Sequence, residues 1–368
     1  MPGRHACAPI ALPRRLLKRI VPSRYLIAPI ANPELATRLQ QKIDGKTKPL
    51  GALGALESVA LQLGLIGQTE SPRINHPHLI VCAGDHGVTA EGVSAYPQEV
   101  TWQMVMNYLA GGAAVNLFAQ ASRFQLLVVD AGVNHAFANH PGLIDRKIGM
   151  GTANMAREAA MTRPQCEQAL SSGTLLVNDL HSKGCTLVGF GEMGIGNTTS
   201  ASTLMARWSA LPLDVCVGRG AGLNDAGLAH KRQVVARILA RHQELTDPVD
   251  VLAAMGGFEI AMIVGGMLAA AQARMAILID GFIVSAALLA AQAIHPHVTD
   301  YCVFSHTSNE RGHAALLNHL SARPLLALNL RLGEGTGAAL ALPLVEAAAN
   351  FLNQMASFES AGVATQSA

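Results

Sequence analysis

The sequence predicts an α/β fold: a Rossmann-like parallel sheet flanked by helices, with a small helical domain built from the N- and C-terminal segments. Two observations carry this. From about residue 78, short apolar runs ending in Gly or Asp alternate with longer segments of helical period, the pattern of a parallel sheet with crossover helices. Both ends of the chain read as helical outside that alternation. The strands are expected at 78–84, 124–130, 185–190, 214–218, 275–280, 301–305 and 325–332. Nearly every one ends in a glycine or polar cluster: Gly84-Asp-His-Gly87, Asp130-Ala-Gly132, Gly189-Phe-Gly-Glu192, Gly218-Arg-Gly220, Asp280-Gly281, Ser305-His306 and Gly333-Glu-Gly335. In a parallel sheet such clusters converge on one edge, where open α/β folds bind ligands.

A helical stretch from Pro33 to about Gly67 precedes the sheet, and residues 67–77, with Gly67, Ser71, Pro72, Asn75 and Pro77, read as a linker. The expected division is a basic extension at 1–24, a small helical domain from 25–77 plus about 338–368, and a catalytic α/β domain at 78–337. The last ten residues read as frayed.

Composition narrows the function classes. Half of the 368 residues are hydrophobic, only 14% are charged and the formal charge is +2, so neither a nucleic-acid surface nor a long disordered tail is indicated. Six basic residues and no acid fall within residues 1–24, leaving the remainder mildly acidic. That leader lacks the continuous apolar stretch and cleavage site of a signal peptide, and reads as a dispensable extension. Six cysteines without any Cys-x-x-Cys spacing argue against a zinc site or a disulfide framework, and suit a reducing cytoplasm. The apolar region 251–294 is interrupted by Glu259, Arg274 and Asp280, and its uncharged stretches of 14 residues are short for a membrane span.

Three clusters suggest chemistry. In Leu328-Asn-Leu-Arg-Leu-Gly-Glu-Gly-Thr-Gly337, Glu334 sits between glycines where an aliphatic run meets an Ala-rich helix, placed to accept a proton from a ligand or, more simply, to favour a helix start. Gly189-Phe-Gly-Glu-Met-Gly-Ile-Gly-Asn-Thr-Thr-Ser200 is a strand, a glycine loop and a helix opening. It suits a monophosphate at Gly194, Gly196, Asn197, Thr198 and Thr199, with Glu192 facing a cationic or neutral group. The same stretch matches the dinucleotide fingerprint literally, but the acid expected to end the second strand is represented only by Asp214, which begins one. Gly218-Arg-Gly-Ala-Gly-Leu-Asn-Asp225 opens another helix, and Lys231 two turns along could meet the phosphate. Ser94, Tyr96 and Gln98 combine a hydroxyl, an aromatic ring and an amide suited to a flat heterocycle. Asp85, His86, His306 and His313 lack the close spacing of a metal site, so no metal is expected.

As an ordered set these motifs resemble the nicotinate-nucleotide:dimethylbenzimidazole phosphoribosyltransferase family. The matched elements are Lys48-Pro-Leu-Gly-x-Leu-Gly-x-Leu-Glu57, Ala83-Gly-Asp-His-Gly87, Ser94-x-Tyr-Pro-Gln-Glu-Val-Thr101, Gly191-Glu-Met-Gly-Ile-Gly-Asn-Thr-Thr199, Gly218-Arg-Gly220, Asp280-Gly281, Ser305-His306 and Gly333-Glu-Gly-Thr-Gly337, in family order over roughly residues 25–355. Ala52 stands where Ser is expected, and Ala221 and Asn224 where Thr and Asp are common. The resemblance implies transfer of 5-phosphoribosyl from nicotinate mononucleotide to 5,6-dimethylbenzimidazole in cobalamin biosynthesis. It implies Glu334 as proton acceptor and Glu192 as supporting carboxylate, with phosphate held by Gly194 to Thr199 and Lys231. Ser94, Tyr96, Gln98 and Leu332 would then frame the base. It further implies a cytoplasmic homodimer that needs no cofactor. The alternatives are a nicotinamide-dependent dehydrogenase, favoured only by the literal glycine fingerprint, and a non-catalytic nucleotide- or base-binding protein.

Overall fold

The structure is a computed structural model, and it describes residues 25–364. The expected basic extension at 1–24 lies outside the described residues, as do residues 365–368.

Two helices come first, α1 (Pro33–Asp44) and α2 (Ala55–Gly67). Asn32 caps α1 by accepting the Leu35 amide, and Pro33 supplies a preset φ at its first position. The sheet begins with β1 (His78–Gly84), followed by α3 (Val100–Leu109), α4 (Ala114–Ser122), β2 (Gln125–Gly132) and the short β3 (Leu143–Asp145). Then come α5 (Arg163–Ser182), β4 (Leu187–Met193), α6 (Asn197–Ser209), α7 (Leu213–Cys216), α8 (Asp225–Arg241), α9 (Pro248–Met255) and α10 (Phe258–Gln272). The chain closes with β5 (Ala276–Ile279), α11 (Phe282–Ile294), β6 (Cys302–Phe304), α12 (His313–His319), α13 (Thr336–Gln354) and α14 (Phe358–Ala361). Ser357 caps α14, so part of the segment expected to fray is an ordered turn.

Among the described residues all six strands are parallel, in the order β3-β2-β1-β4-β5-β6. This is the doubly wound order, and its direction reverses between β1 and β4, where such sheets open a ligand crevice. The expected Rossmann-like parallel sheet is therefore the observed one.

Side-chain alternation along β4 separates the two faces. Phe190 points to Gly266 of α10, while Gly189 and Gly191 point the other way, to Phe124 and to the turn before α13. α10 is buried over nearly its whole length and crosses α5 closely, since a Cβ on Gly265 would lie 2.0 Å from the Leu170 carbonyl oxygen. On the other side α13 packs on α2 and α4, and Lys46 bridges to Ser357 near the chain's end. The interrupted apolar region 251–294 is thus α9, α10, β5 and α11 of the core. Among the described residues no helix is long and apolar enough to cross a membrane.

Two expected strands are corrected. Residues 214–218 form no strand: Leu213–Cys216 is a single helical turn started by Pro212, with Asp214 in its first turn. The apolar run Val215-Cys-Val217 is too short for a period to distinguish the two outcomes. Residues 325–332 run beside β6 but make only one bridge, Leu326 to His306. Leu325 and Leu326 bond to the end of β6, and the left-handed Asn329 (φ 57°) then interrupts the ladder. The three-residue β3 gave no sequence signal.

Candidate active site

A cavity of about 450 Å³ opens at the carboxyl ends of β4, β5 and β6, beside the switch between β1 and β4. Its floor carries three carboxylates. Glu192 ends β4, Asp280 follows β5, and Glu334 stands in the turn before α13; none is more than 5% exposed.

Backbone geometry fixes Glu334. Gly333, Glu334 and Gly335 have φ of 83°, 63° and 83°, three successive left-handed residues. Glutamate pays for that conformation, and strain of this kind concentrates at functional sites. The turn is held from below by Asp280, whose two carboxylate oxygens accept the Gly335 amide at 3.2 Å and the Ala338 amide at 3.0 Å. Asp280 therefore caps α13 and pins the turn in one contact. His306 Nε2 lies 3.7 Å from Asp280 Oδ1. From above, the turn rests on β4: a Cβ on Gly335 would meet the Gly191 Cα at 3.2 Å, and one on Gly333 would meet Glu192 Oε1 at 2.3 Å. The glycines that imitate a dinucleotide fingerprint are thus explained by packing, since Gly189 and Gly191 lie within β4 rather than in a phosphate turn.

Electrostatics follow from this crowding. Burial pushes the Glu334 pKa above its ordinary value and the Asp280 charge adds to it, while the Tyr108 hydroxyl opposes the rise. Tyr108 is buried and interacts with Glu334, although among the described residues neither its hydroxyl nor Glu334 Oε2 makes a hydrogen bond of good geometry. Burial, then the charges of Asp280 and Glu259, raise the Glu192 pKa well above the ordinary range; the amide of Asn197, which donates to Glu192 Oε2, works against this. Burial raises Asp280 as well, with His306 and the α13 amides opposing. Carboxylates placed this way take up a proton readily.

The opposite side suits an anion. Gly194, Ile195, Gly196, Asn197 and Thr198 line the cavity at the N-terminus of the 13-residue α6, where the helix dipole is positive. Lys231 of α8 is fully buried and donates from Nζ to Thr198 Oγ1 at 2.7 Å. Burial lowers its pKa to about 8, with Glu310 opposing. It reaches the cavity wall through Thr198 rather than lining it. Thr199 is fully buried behind the wall, its hydroxyl without a hydrogen-bond partner among the described residues.

At the mouth Ser94 and Tyr96 face Leu332 and Arg331. Tyr96 and Leu332 are about half exposed, at 52% and 57%. Gln98 lies outside the lining: its amide donates to the His86 carbonyl at 3.4 Å and accepts from Asn134 at 3.1 Å.

The structure thus brings Glu192, Glu334, Gly194, Gly196, Asn197, Thr198, Ser94, Tyr96 and Leu332 around one cavity, sets Lys231 and Thr199 buried behind its walls, and leaves the half-buried Gln98 beside it. Asp280, His306 and Tyr108 were not singled out as site residues by sequence. The first two stand in strand-end clusters that the sequence marked, without a role assigned to them, whereas Tyr108 sits in a helix with nothing to mark it.

A doubly wound sheet with an anion-accepting helix start facing buried carboxylates defines an α/β protein built to bind a small phosphorylated ligand at its switch point. In agreement, the sequence model of the family described as phosphoribosyltransferase matches residues 28–363. The chain is 58% identical over 334 residues to the nicotinate-nucleotide–dimethylbenzimidazole phosphoribosyltransferase of Aromatoleum aromaticum, covering 91% of this chain and 97% of that one. It is also 58% identical over 332 residues to the enzyme of that name from Dechloromonas aromatica, covering 89% and 95% of the two chains. The crystal structure of CobT from Thermus thermophilus superposes with a TM-score of 0.88 at 46% identity, covering 91% of this chain and 100% of that one. The chain belongs to the nicotinate-nucleotide–dimethylbenzimidazole phosphoribosyltransferase family.

Proposed function

We propose that this enzyme transfers 5-phosphoribosyl from nicotinate mononucleotide to 5,6-dimethylbenzimidazole, giving α-ribazole 5′-phosphate and nicotinate with inversion at the anomeric carbon. The observation that carries the reading is Glu334, held in a strained turn at the cavity floor with its proton affinity raised.

One benzimidazole nitrogen attacks C1′ while Glu334 takes the proton from the other nitrogen. The C1′–N bond to the pyridinium breaks, and its electron pair neutralises the leaving nicotinate ring, so the leaving group needs neither a general acid nor a metal. Glu192 opposes the positive charge that builds on the ribosyl centre. Gly194, Gly196, Asn197 and Thr198 receive the phosphate, with Lys231 supplying charge through Thr198 and Thr199 shaping the loop from behind. Tyr96 and Leu332 hold the flat faces of the base beside Ser94, and Gln98 supports that wall through the His86 carbonyl. The enzyme acts as a cytoplasmic homodimer without a cofactor.

Incubating purified protein with both substrates and no added metal, then separating the products by chromatography, tests this reading. Stoichiometric nicotinate and α-ribazole phosphate are expected. Absence of both would overturn it.

A further inference from the structure

Beneath the phosphate side of the cavity lies a buried ion pair that the transfer chemistry does not use. His86 follows β1 and Glu259 opens α10; His86 Nε2 stands 2.7 Å from Glu259 Oε1, and both side chains are at most 1% exposed. His86 Nδ1 meets Ser200 Oγ at 3.3 Å, and Ser200, one turn into α6, also donates to the Gly256 carbonyl at 2.9 Å.

The imidazole separates two glycine turns. A Cβ on Gly194 would lie 3.4 Å from His86 Cδ2, one on Gly196 3.3 Å from His86 Cβ, and one on Gly257 2.3 Å from His86 Cε1. The ring thus packs behind the 194–196 loop, which lines the cavity and which the Gly84 carbonyl and Thr89 also confine, at 2.2 Å from a Cβ on Gly194 and 2.8 Å from one on Gly196. Its neighbour Asp85 reinforces this through Thr101, whose hydroxyl interacts with the Asp85 carboxylate and accepts the Ile195 amide at 3.1 Å. Burial disfavours the imidazolium, yet the charges of Glu259 and Asp85 outweigh it and hold the His86 pKa above its ordinary value. The protonated form of the ring is thus favoured where it backs the loop, 2.7 Å from Glu259.

We propose that His86 and Glu259 are positioning residues for the donor's phosphate, the pair holding the 194–196 loop in its anion-accepting shape. This rests on the phosphoribosyl-transfer reading.

The test compares nicotinate mononucleotide with nicotinate riboside, which lacks the phosphate, as donors for the wild type, His86→Ala and Glu259→Gln. For His86→Ala the KM for the mononucleotide is expected to rise about tenfold or more, with kcat and the KM for the base within about threefold, and riboside turnover little changed. Glu259→Gln keeps the side-chain volume and should show the same selectivity at smaller amplitude, which leaves a test if His86→Ala does not fold. In parallel, inorganic phosphate should raise the Tm of the wild type more than that of either variant. Equal losses with both donors, or a fall in kcat alone, would overturn the proposal. A wild type that turns over neither donor would sink the reaction reading instead, and the phosphate-induced Tm shift would still judge the pair.

Discussion

A Cβ on Gly191 would stand 2.4 Å from the carbonyl oxygen of Glu334, so the middle of β4 and the turn carrying the proposed base are in backbone contact. Backbone on both sides leaves no flexible side chain to yield. Gly191→Ala is expected to cost about 1–3 kcal/mol of stability through overpacking and to lower kcat further than any stability loss explains. Urea denaturation alongside steady-state kinetics would check this; a soluble variant with full kcat would show that the turn is not set by β4.

The pH dependence has a defined sign. Because Glu334 must be ionised to accept a proton and its pKa is raised, kcat should climb with pH through a value above the ordinary 4.5. The limb belongs to the coupled set of Glu334, Glu192 and Asp280 rather than to one group. Tyr108→Phe removes the hydroxyl that opposes the rise, so the acid limb should move to higher pH. A limb that stays in place would remove Tyr108 from the account.

The same shift is a stability statement. A carboxyl with a raised pKa in the fold binds more protons folded than unfolded, so its contribution falls as pH rises from the unfolded value through the folded one. Glu334→Gln abolishes that penalty. Relative to wild type it should gain stability as pH rises above the usual carboxylate range, measured as Tm against pH without ligands.

Lys231 illustrates a buried cation in need of a partner. Its pKa of about 8 lies below the ordinary 10.5, so in the ligand-free enzyme its charge is lost as pH climbs through about 8. The KM for the phosphorylated donor should therefore rise over that interval. Lys231→Met should raise that KM about tenfold or more, a loss of about 1.4 kcal/mol per tenfold, while the free protein becomes no less stable, because the cost of burying the ammonium disappears. A variant with unchanged KM would exclude Lys231 from phosphate binding.

Much of this was legible in the chain. Five of the seven expected strands form, because β1, β2, β4, β5 and β6 are apolar runs closed by glycine or polar residues. The two that fail are ruled by single residues: Pro212 starts a helical turn, and the left-handed Asn329 spoils a ladder. The glycines of the 189–196 and 333–337 stretches marked the cavity correctly, yet their reason was hidden. Gly191 and Gly335 are small because two distant segments touch there, a contact no local pattern encodes. Lys231 and Gln98 show the reverse: their residue types suggested ligand contact, whereas burial set Lys231 behind Thr198 and hydrogen bonds hold Gln98 to the His86 carbonyl and Asn134. Glu259 interrupts an apolar run in the sequence, and that lone acid is explained only once His86 is seen beside it.

The central claim is that Glu334 takes the proton of the attacking base. It is tested most directly by measuring kcat for Glu334→Gln together with calorimetric affinity for dimethylbenzimidazole. Loss of about 10²–10⁴ in kcat with base affinity within a few fold is the expected result, the range set by removal of a general base. Turnover close to wild type, in a variant that binds the base normally, would contradict it.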